Sequence, residues 1–202
     1  GSITVNTVIK ANSEEGNPLV TLIAAEDDAK VTFATQGSTF HSLAAQADNS
    51  VVVQVDVTAT TGTLYLDGDY ENSTTEDTDD KVQFADDLTI SAETVMTLES
   101  TAGSVVPAGK LTLVAGSGLW VHDDMTSAAS NKPLVIDTDF ESEGDGTLTV
   151  VATKTITSNK SDVTITAWDI DMAGNLNAGT MTISVHGSKV DQTIGLGGTA
   201  GN

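Results

Sequence analysis

The sequence predicts an all-β fold, built as a β-solenoid of stacked, irregular turns. Three observations predict it: short apolar runs with period two, turn-forming residues that bound each run, and a degenerate internal repeat. A pair of β-sandwich modules is the alternative fold. We expect residues 1–202 to be a single solenoid segment excised from a longer repeat protein, since the chain opens with Gly1-Ser2 and stops within a glycine-rich pattern.

Alternating apolar residues recur along most of the chain, for example over residues 51–57, 64–66, 111–114 and 163–168. The runs are rich in Val, Ile and Thr, and Gly, Asn, Asp and Ser bound them, which is typical of short strands with tight turns. The best helical candidate, residues 42–47, covers about one and a half helical turns. We expect one continuous core that includes Val53, Leu64, Leu113, Val135, Val150, Ile165 and Ile183.

Five segments of the chain align as repeats. Each opens with a polar turn residue, enters a strand, crosses an acidic or glycine-rich corner and continues into a second strand. One such unit cannot bury its apolar face alone, so neighbouring units must cover it. The segments open at residues 17, 49, 87, 131 and 161, so their spacing varies from 30 to 44 residues. A solenoid tolerates this variation because insertions leave as loops from a corner.

Charge and composition limit the partners of this chain. Hydrophobic residues make up 39% and aromatic residues 4% of it, which suits the thin core of a solenoid. The formal net charge is -21 and Arg is absent, so nucleic acid and anionic membranes are poor partners, whereas divalent cations are plausible ones. Cys is absent, which excludes thiolate chemistry, and no apolar run is long enough to span a bilayer, so we expect no membrane insertion.

The closing segment GTMTISVHGSKVDQTIGLGGTAGN, residues 179–202, and the earlier GTLTVVAT, residues 146–153, resemble the repeats of filamentous-haemagglutinin-like surface proteins. The resemblance is best over residues 179–202. Those proteins are long right-handed β-helices from bacteria, and related repeats occur in very large surface proteins of algae. The resemblance implies a rod-like, exported and non-enzymatic chain, extracellular or at the cell surface, used for adhesion or as a filament.

The sequence shows no catalytic centre. His41, His122 and His186 are far apart, and no Gly-x-Ser-x-Gly elbow occurs. His122 precedes two aspartates that would orient a general base, but a surface turn is the simpler interpretation. Some β-helices are polysaccharide lyases, which commonly use Arg or Lys as the base. Because this chain has no Arg, we expect no enzyme, and a lyase is a less favoured alternative.

Acidic residues alternate with period two in three runs, which begin at Asp67, Asp137 and Asp169. Alternate side chains share a face on a strand, and on a turn they converge as calcium ligands do. None of the runs matches the EF-hand loop. We expect no required cofactor, and a solvated corner is the simpler interpretation of these runs. The candidate calcium ligands are Asp137, Asp139, Glu141 and Glu143.

Two further patterns carry weaker hypotheses. Thr-x-Thr pairs begin at residues 147, 155, 164 and 180, and ice-binding solenoids present one such pair per turn, but this spacing is irregular. Ordinary β propensity explains Thr on strands. Asn72 and Asn159 lie in N-glycosylation sequons, which permit a secreted eukaryotic origin.

The sequence thus predicts a structural segment of an extracellular filament or cell-surface fibre. An open terminal turn has unpaired N–H and C=O groups, so we expect its ends, from Ser2 and over residues 195–202, to meet neighbouring modules or copies of the chain. The alternative is an adhesin or a calcium-dependent carbohydrate-binding module, with carbohydrate as the partner. Ice binding is less favoured.

Overall fold

The computed structural model describes residues 1–13, 15–16, 18–73 and 79–193. These residues form short β strands and one 3-10 turn, Lys10–Asn12. The strands, in chain order, are β1 (Ile3–Val5), β2 (Leu19–Ala24), β3 (Lys30–Phe33), β4 (Ser38–Phe40), β5 (Ser42–Ala47), β6 (Ser50–Val53), β7 (Val57–Ala59), β8 (Leu64–Asp67), β9 (Lys81–Phe84), β10 (Leu88–Ala92), β11 (Val95–Glu99), β12 (Ser104–Pro107), β13 (Leu111–Ala115), β14 (Gly118–Val121), β15 (Met125–Thr126), β16 (Leu134–Asp137), β17 (Thr147–Val150), β18 (Thr155–Thr157), β19 (Val163–Ala167), β20 (Asp169–Met172), β21 (Asn175–Asn177) and β22 (Ile183–Gly187).

Three parallel sheets, named A, B and C here, form the faces of the solenoid. Within each sheet the strands of successive turns stack along one axis. Sheet A has the order β1-β3-β6-β9-β12-β15-β18-β21, sheet B β2-β5-β8-β11-β14-β17-β20, and sheet C β4-β7-β10-β13-β16-β19-β22. Each complete turn of chain passes through sheet A, then C, then B. The predicted all-β solenoid is therefore confirmed. The alternative of β-sandwich modules is wrong, because sandwiches are built from antiparallel sheets and every pairing between described strands is parallel.

One turn of the solenoid is shorter than the predicted repeat. The strands of sheet A begin at residues 3, 30, 50, 81, 104, 125, 155 and 175, so a turn takes 20 to 31 residues. The predicted repeats are 30 to 44 residues apart, so some of them contain more than one turn. The two longest turns have insertions at different corners: 13 residues separate β8 from β9, between sheets B and A, and nine residues, 138–146, separate β16 from β17, between sheets C and B.

Inward-facing side chains line up in columns because adjacent strands pair in register. In sheet B, Leu43, Leu64, Met96, Leu119 and Leu148 form one such column. Each is at most 1% exposed, because the turns above and below cover it. Full burial of a side chain of this size contributes about 1.5–3 kcal/mol, so stacking itself stabilises the fold. A second column consists of alanines, each the last residue of its sheet C strand, where the chain turns towards sheet B: Ala59, Ala92 and Ala115.

The predicted core is confirmed at five of its seven positions and wrong at two. Val53, Leu64, Leu113, Val150 and Ile165 are buried, each 1% exposed or less. Val135 is half-buried and faces outward, since Leu134 and Ile136 on either side of it face the core. Ile183 faces the core from the last strand of sheet C, but it is 43% exposed because no described strand stacks beyond it. Residues 42–47, the helical candidate, form strand β5.

Polar residues in the left-handed backbone region make many of the corners. Asp28, Asp87, Asn131 and Asn159 all have positive φ angles, and Asn and Asp tolerate this region better than other side chains do. Thr35 and Thr153 are exceptions, with φ of 74° and 71° for β-branched residues. Gly103 is required for a different reason: a Cβ at this position would lie 1.5 Å from the Asp80 carbonyl oxygen of the preceding turn.

Candidate functional site

Among the described residues, nothing covers the solenoid core at the end formed by β20, β21 and β22. Ile170, Met172 and Leu176 face the core there and are only partly buried. Their partners in the preceding turn, Leu148, Val150 and Ile156, are fully buried. Met181 and Ile183 are 37% and 43% exposed at the same end. This end thus presents an apolar surface and three strand edges to which no described strand is bonded.

The opposite end of the solenoid, formed at β2, also exposes apolar side chains. On β2, Val20 and Leu22 face the core but are only half-buried, whereas their partners Leu43 and Ala45 in the next turn are fully buried. Leu19 and Ile23 on the outer face of β2 are 55% and 44% exposed. Exposed large hydrophobic residues are therefore concentrated at the two ends of the solenoid, with three exceptions between them: Tyr70, Trp120 and Phe140.

The candidate calcium ligands do not share one face in the structure. Asp137 ends β16 and is half-buried on its outer side, while Asp139 is buried at the start of the 138–146 loop. The Asp139 carboxylate accepts hydrogen bonds from the Gly144 N–H, at 3.1 and 3.2 Å, and from the Ser188 hydroxyl. Glu141 and Glu143 are exposed in the loop. Asp139 therefore closes this loop and anchors it to the last described turn.

Electrostatics in this loop are unfavourable. Burial raises the pKa of Asp137, and the nearby Asp139 charge adds to the effect. The pKa of Glu141 is also raised, by desolvation and then by the charges of Glu143, Glu93 and other carboxylates. Within the described ranges, no three His, Asp or Glu side chains are grouped as ligands of a metal ion. Calcium binding at these four residues stays a prediction.

A second candidate site lies on the outer face of sheet B. Tyr65, Thr97 and Trp120 are register partners on β8, β11 and β14, so they form a row along the solenoid axis. Asp67 and Glu99 form the next row, and His122 continues it after the paired Val121. Sequence reasoning did not find this group, although alternation in LYLD and LWVH places both aromatic residues outward. We call it the aromatic face, defined by Tyr65, Asp67, Thr97, Glu99, Trp120 and His122.

The two rows of the aromatic face are joined by polar contacts. The Tyr65 hydroxyl is 3.1 Å from Asp67 Oδ2 and 2.9 Å from Glu99 Oε2. Gln46 Nε2 donates to Asp67 Oδ2 at 3.1 Å. Burial raises the pKa of Asp67 and of Tyr65, and the carboxylates raise that of Tyr65 further, so the phenol keeps its proton. Because a phenol has a single proton, it donates to only one carboxylate at a time.

Trp120 is the exposed aromatic residue of this face. It is 44% exposed, and its ring stacks on His122 with 5.6 Å between centroids and 20° between planes. Trp168, by contrast, is half-buried beneath Lys189, whose Nζ lies 5.2 Å from the ring centroid. Stacking on His122 fixes the orientation of the Trp120 ring, which stays 44% exposed.

The structure does not bring the three histidines together. His41 is buried at a corner beside Ser42, His122 directly follows β14, and His186 is exposed on the outer face of β22. Asp123 accepts the Ser100 N–H at 2.8 Å and pairs with Lys154. Asp124 accepts the Thr155 N–H at 2.7 Å. Both aspartates therefore bind the neighbouring turns, and neither has a hydrogen bond to His122 among the described contacts.

The Thr-x-Thr pairs do not form a continuous array. The pairs at residues 147, 155 and 164 lie on β17, β18 and β19, which belong to sheets B, A and C, so they point in different directions. The fourth pair precedes β22. Of the sequon residues, Asn72 is exposed and Thr74 lies outside the described residues. Ser161, in the second sequon, is buried and accepts the Lys132 N–H at 2.8 Å.

Across the described part of the chain, no helix has the length and hydropathy needed to cross a membrane. Comparison with known protein families, curated proteins and solved structures finds no match to this chain. The resemblance to filamentous-haemagglutinin-like repeats therefore stays an expectation from sequence. Part of its best segment, residues 194–202, lies outside the described residues.

Proposed function

We propose that this chain is a structural, non-enzymatic module of an extracellular filament or cell-surface fibre, in which solenoids stack end to end. The observation that carries the proposal is the open core. Ile183 pairs with Val163 and faces the same core, yet it is 43% exposed where Val163 is 1% exposed. Another solenoid turn placed against β22 would bury Ile183 as Val163 is buried.

Strand direction supports head-to-tail stacking of identical copies. All three sheets are parallel, so the edges at one end continue the direction of those at the other. An edge strand with unpaired N–H and C=O groups is a template for a further strand. A join between two different surfaces of the same chain does not close on itself unless the rotation permits a ring, so it generates filaments.

Net charge opposes this association and gives it a recognisable salt dependence. Each copy carries a formal charge of -21, so two copies repel one another at low ionic strength. The Debye length falls from about 30 Å at 0.01 M salt to about 8 Å at 0.15 M, which screens most of that repulsion. A saline extracellular medium would therefore favour stacking, and we include this location in the proposal.

Sedimentation velocity over a range of protein and sodium chloride concentrations tests the proposal. We expect oligomers that grow with both concentrations. Ile183→Lys places a charge in the open end and should abolish them, whereas Thr112→Lys, on the outer face of β13 in mid-solenoid, should not. Circular dichroism establishes that both variants fold. A chain that stays monomeric at high concentration in 0.5 M sodium chloride, or equal association by the two variants, would contradict end-to-end stacking.

A further inference from the structure

We propose that the aromatic face of sheet B binds a neutral polysaccharide, with a sugar ring stacked on Trp120 and sugar hydroxyls bonded to Glu99. This binding is independent of end-to-end stacking, because the face lies in mid-solenoid on β8, β11 and β14.

Exposure of Trp120 is the first argument. The phenylalanines Phe33, Phe40 and Phe84 are at most 2% exposed, and Trp168 has Lys189 over its ring. Trp120 instead is 44% exposed, and its ring is held in place by stacking on His122. An apolar body with polar neighbours is the arrangement expected where a ligand with both apolar and polar surfaces binds, and the C–H faces of pyranose rings supply the apolar part.

The spacing of the aromatic side chains is the second argument. Tyr65 and Trp120 are separated by two strand spacings, or about 10 Å. This separation is close to the length of one disaccharide unit in an extended glycan. Because both rows follow the solenoid axis, an extended sugar chain would run along the axis with alternate rings near Trp120 and Tyr65.

Hydrogen-bonding capacity is the third argument. Ionised carboxylates are acceptors only. The Asp67 carboxylate is 6% exposed and accepts from Gln46 Nε2 and from the Asp69 N–H, so its oxygens are used within the protein. Among the described hydrogen bonds, Glu99 accepts from Tyr65 through Oε2, which leaves Oε1 for a sugar hydroxyl. Charge-assisted bonds of this kind are about twice as strong as neutral ones. None of the ion pairs between described residues includes Asp67 or Glu99. The face therefore repels uronates and sulfated sugars and selects uncharged ones.

A sugar fits this face better than a peptide does. Extended peptides commonly bind sheets by adding a strand to an open edge. β8, β11 and β14 are interior strands, each paired on both sides, so they offer no edge for such a strand. What the face offers is side chains alone, arranged as one aromatic row beside one acceptor row.

Affinity electrophoresis and isothermal titration test the proposal with hydroxyethylcellulose and galactomannan as neutral polysaccharides and alginate as the anionic one. We expect binding of at least one neutral polymer and none of alginate. Trp120→Ala should weaken binding by about tenfold or more, since one lost aromatic contact is worth about 1.4 kcal/mol at this level. Phe140→Ala removes a similarly exposed aromatic side chain, 42% exposed, outside the face and should leave binding unchanged.

Fluorescence supplies a readout that depends on Trp120 alone. In a Trp168→Phe variant the emission comes from Trp120, and a stacked sugar should shift it to shorter wavelength in proportion to binding. The proposal is overturned if neither neutral polymer binds, if Trp120→Ala binds as well as the wild type, or if alginate binds equally well. Glu99→Gln, which keeps the side-chain size, should weaken binding to a smaller extent than Trp120→Ala.

Discussion

Val163 and Ile183 are register partners in adjacent strands of sheet C, and both face the core, but their side chains are 1% and 43% exposed. The difference comes from position in the stack: Val163 has a strand on each side, and Ile183 has a described strand on one side only. Burial in a solenoid therefore depends on the neighbouring turns more than on the residue itself. The same relationship makes the stability of each turn predictable.

Truncation of isoleucine should cost much more inside the stack than at its end. We expect Ile165→Ala to reduce the free energy of unfolding by about 2–5 kcal/mol, because Ile165 is 1% exposed and its removal leaves a cavity. Ile183→Ala, the matched change at the open end, should cost less than about 1 kcal/mol. Urea unfolding of the two variants under conditions that keep them monomeric measures both values. Equal losses would mean that the end is covered in solution.

The buried Asp67 carboxyl should make stability depend on pH in a recognisable direction. Burial raises its pKa above the ordinary 3.8, so the folded state binds this proton more tightly than the unfolded state does. Its destabilising effect is absent below pH 3.8 and complete once the pH exceeds the folded pKa. We expect Asp67→Asn to be more stable than the wild type at neutral pH and to lose that advantage as the pH falls. Urea unfolding across this range measures the difference.

Asp79 offers the matched control of opposite sign. Its hydrogen bond with Lys30 lowers its pKa, and Lys81 contributes further, so its stabilising effect is present above the ordinary pKa and is lost as the pH falls through the folded value. Asp79→Asn should therefore be less stable than the wild type at neutral pH and approach it in acid. Two variants with the same pH dependence would contradict this assignment of the two carboxyls.

Calcium should stabilise the fold if the 138–146 loop binds it. With a Kd of about 1 mM, typical of extracellular modules, about 10 mM calcium would contribute about 1.4 kcal/mol. Thermal melts in calcium chloride and in sodium chloride at matched ionic strength separate binding from screening. We expect a higher melting temperature in calcium, and no such difference in a variant that carries Glu141→Gln and Glu143→Gln. Identical melting temperatures of the wild type in the two salts would show that the acidic run beginning at Asp137 is a solvated corner and not a calcium site.

Replacing Thr153 should stabilise the protein. Its φ of 71° forces a β-branched side chain into the left-handed region, at a cost of about 1–2 kcal/mol, and Asn tolerates that region better. We expect Thr153→Asn to raise the free energy of unfolding by up to about 1 kcal/mol. Thr157→Asn, the same change in the extended strand β18, should be neutral or slightly destabilising because Asn is disfavoured in strands. A loss of stability in Thr153→Asn would show that the threonine is not strained.

Alternation of side chains was enough to predict the fold class and most of the core. Alternation with period two, as at Leu111 and Leu113, indicates which side chains share a face of a strand. Parallel stacking of the turns then buries the apolar face of each strand. The repeats were harder. Three of the predicted openings, at residues 87, 131 and 161, fall at the start of sheet C strands, but the turn that contains β13 was merged into its neighbour. The openings at 17 and 49 precede strands of sheets B and A instead.

What the sequence could not predict depends mainly on contacts that only the fold creates. Val135 lies in a continuous apolar run, Leu134 to Ile136, where alternation does not state which residues face the core. Asp139 was predicted to be a metal ligand from the alternation of acidic residues. In the fold its carboxylate instead accepts hydrogen bonds from the Gly144 N–H and the Ser188 hydroxyl, which the alternation does not indicate. Tyr65 and Trp120 are 55 positions apart in the chain and meet in one row only because β11 lies between them.

Because each turn contacts only its neighbours, we expect this molecule to lengthen under tension by unfolding one turn at a time. A folded turn advances the rod by one strand spacing, about 4.8 Å, yet it contains 20 to 31 residues. Pulled straight, the same residues span about 70–110 Å. Force applied at one end would peel the turns off singly, with β22 first, so that each rupture dissipates work and lengthens the tether while the remaining turns keep their shape.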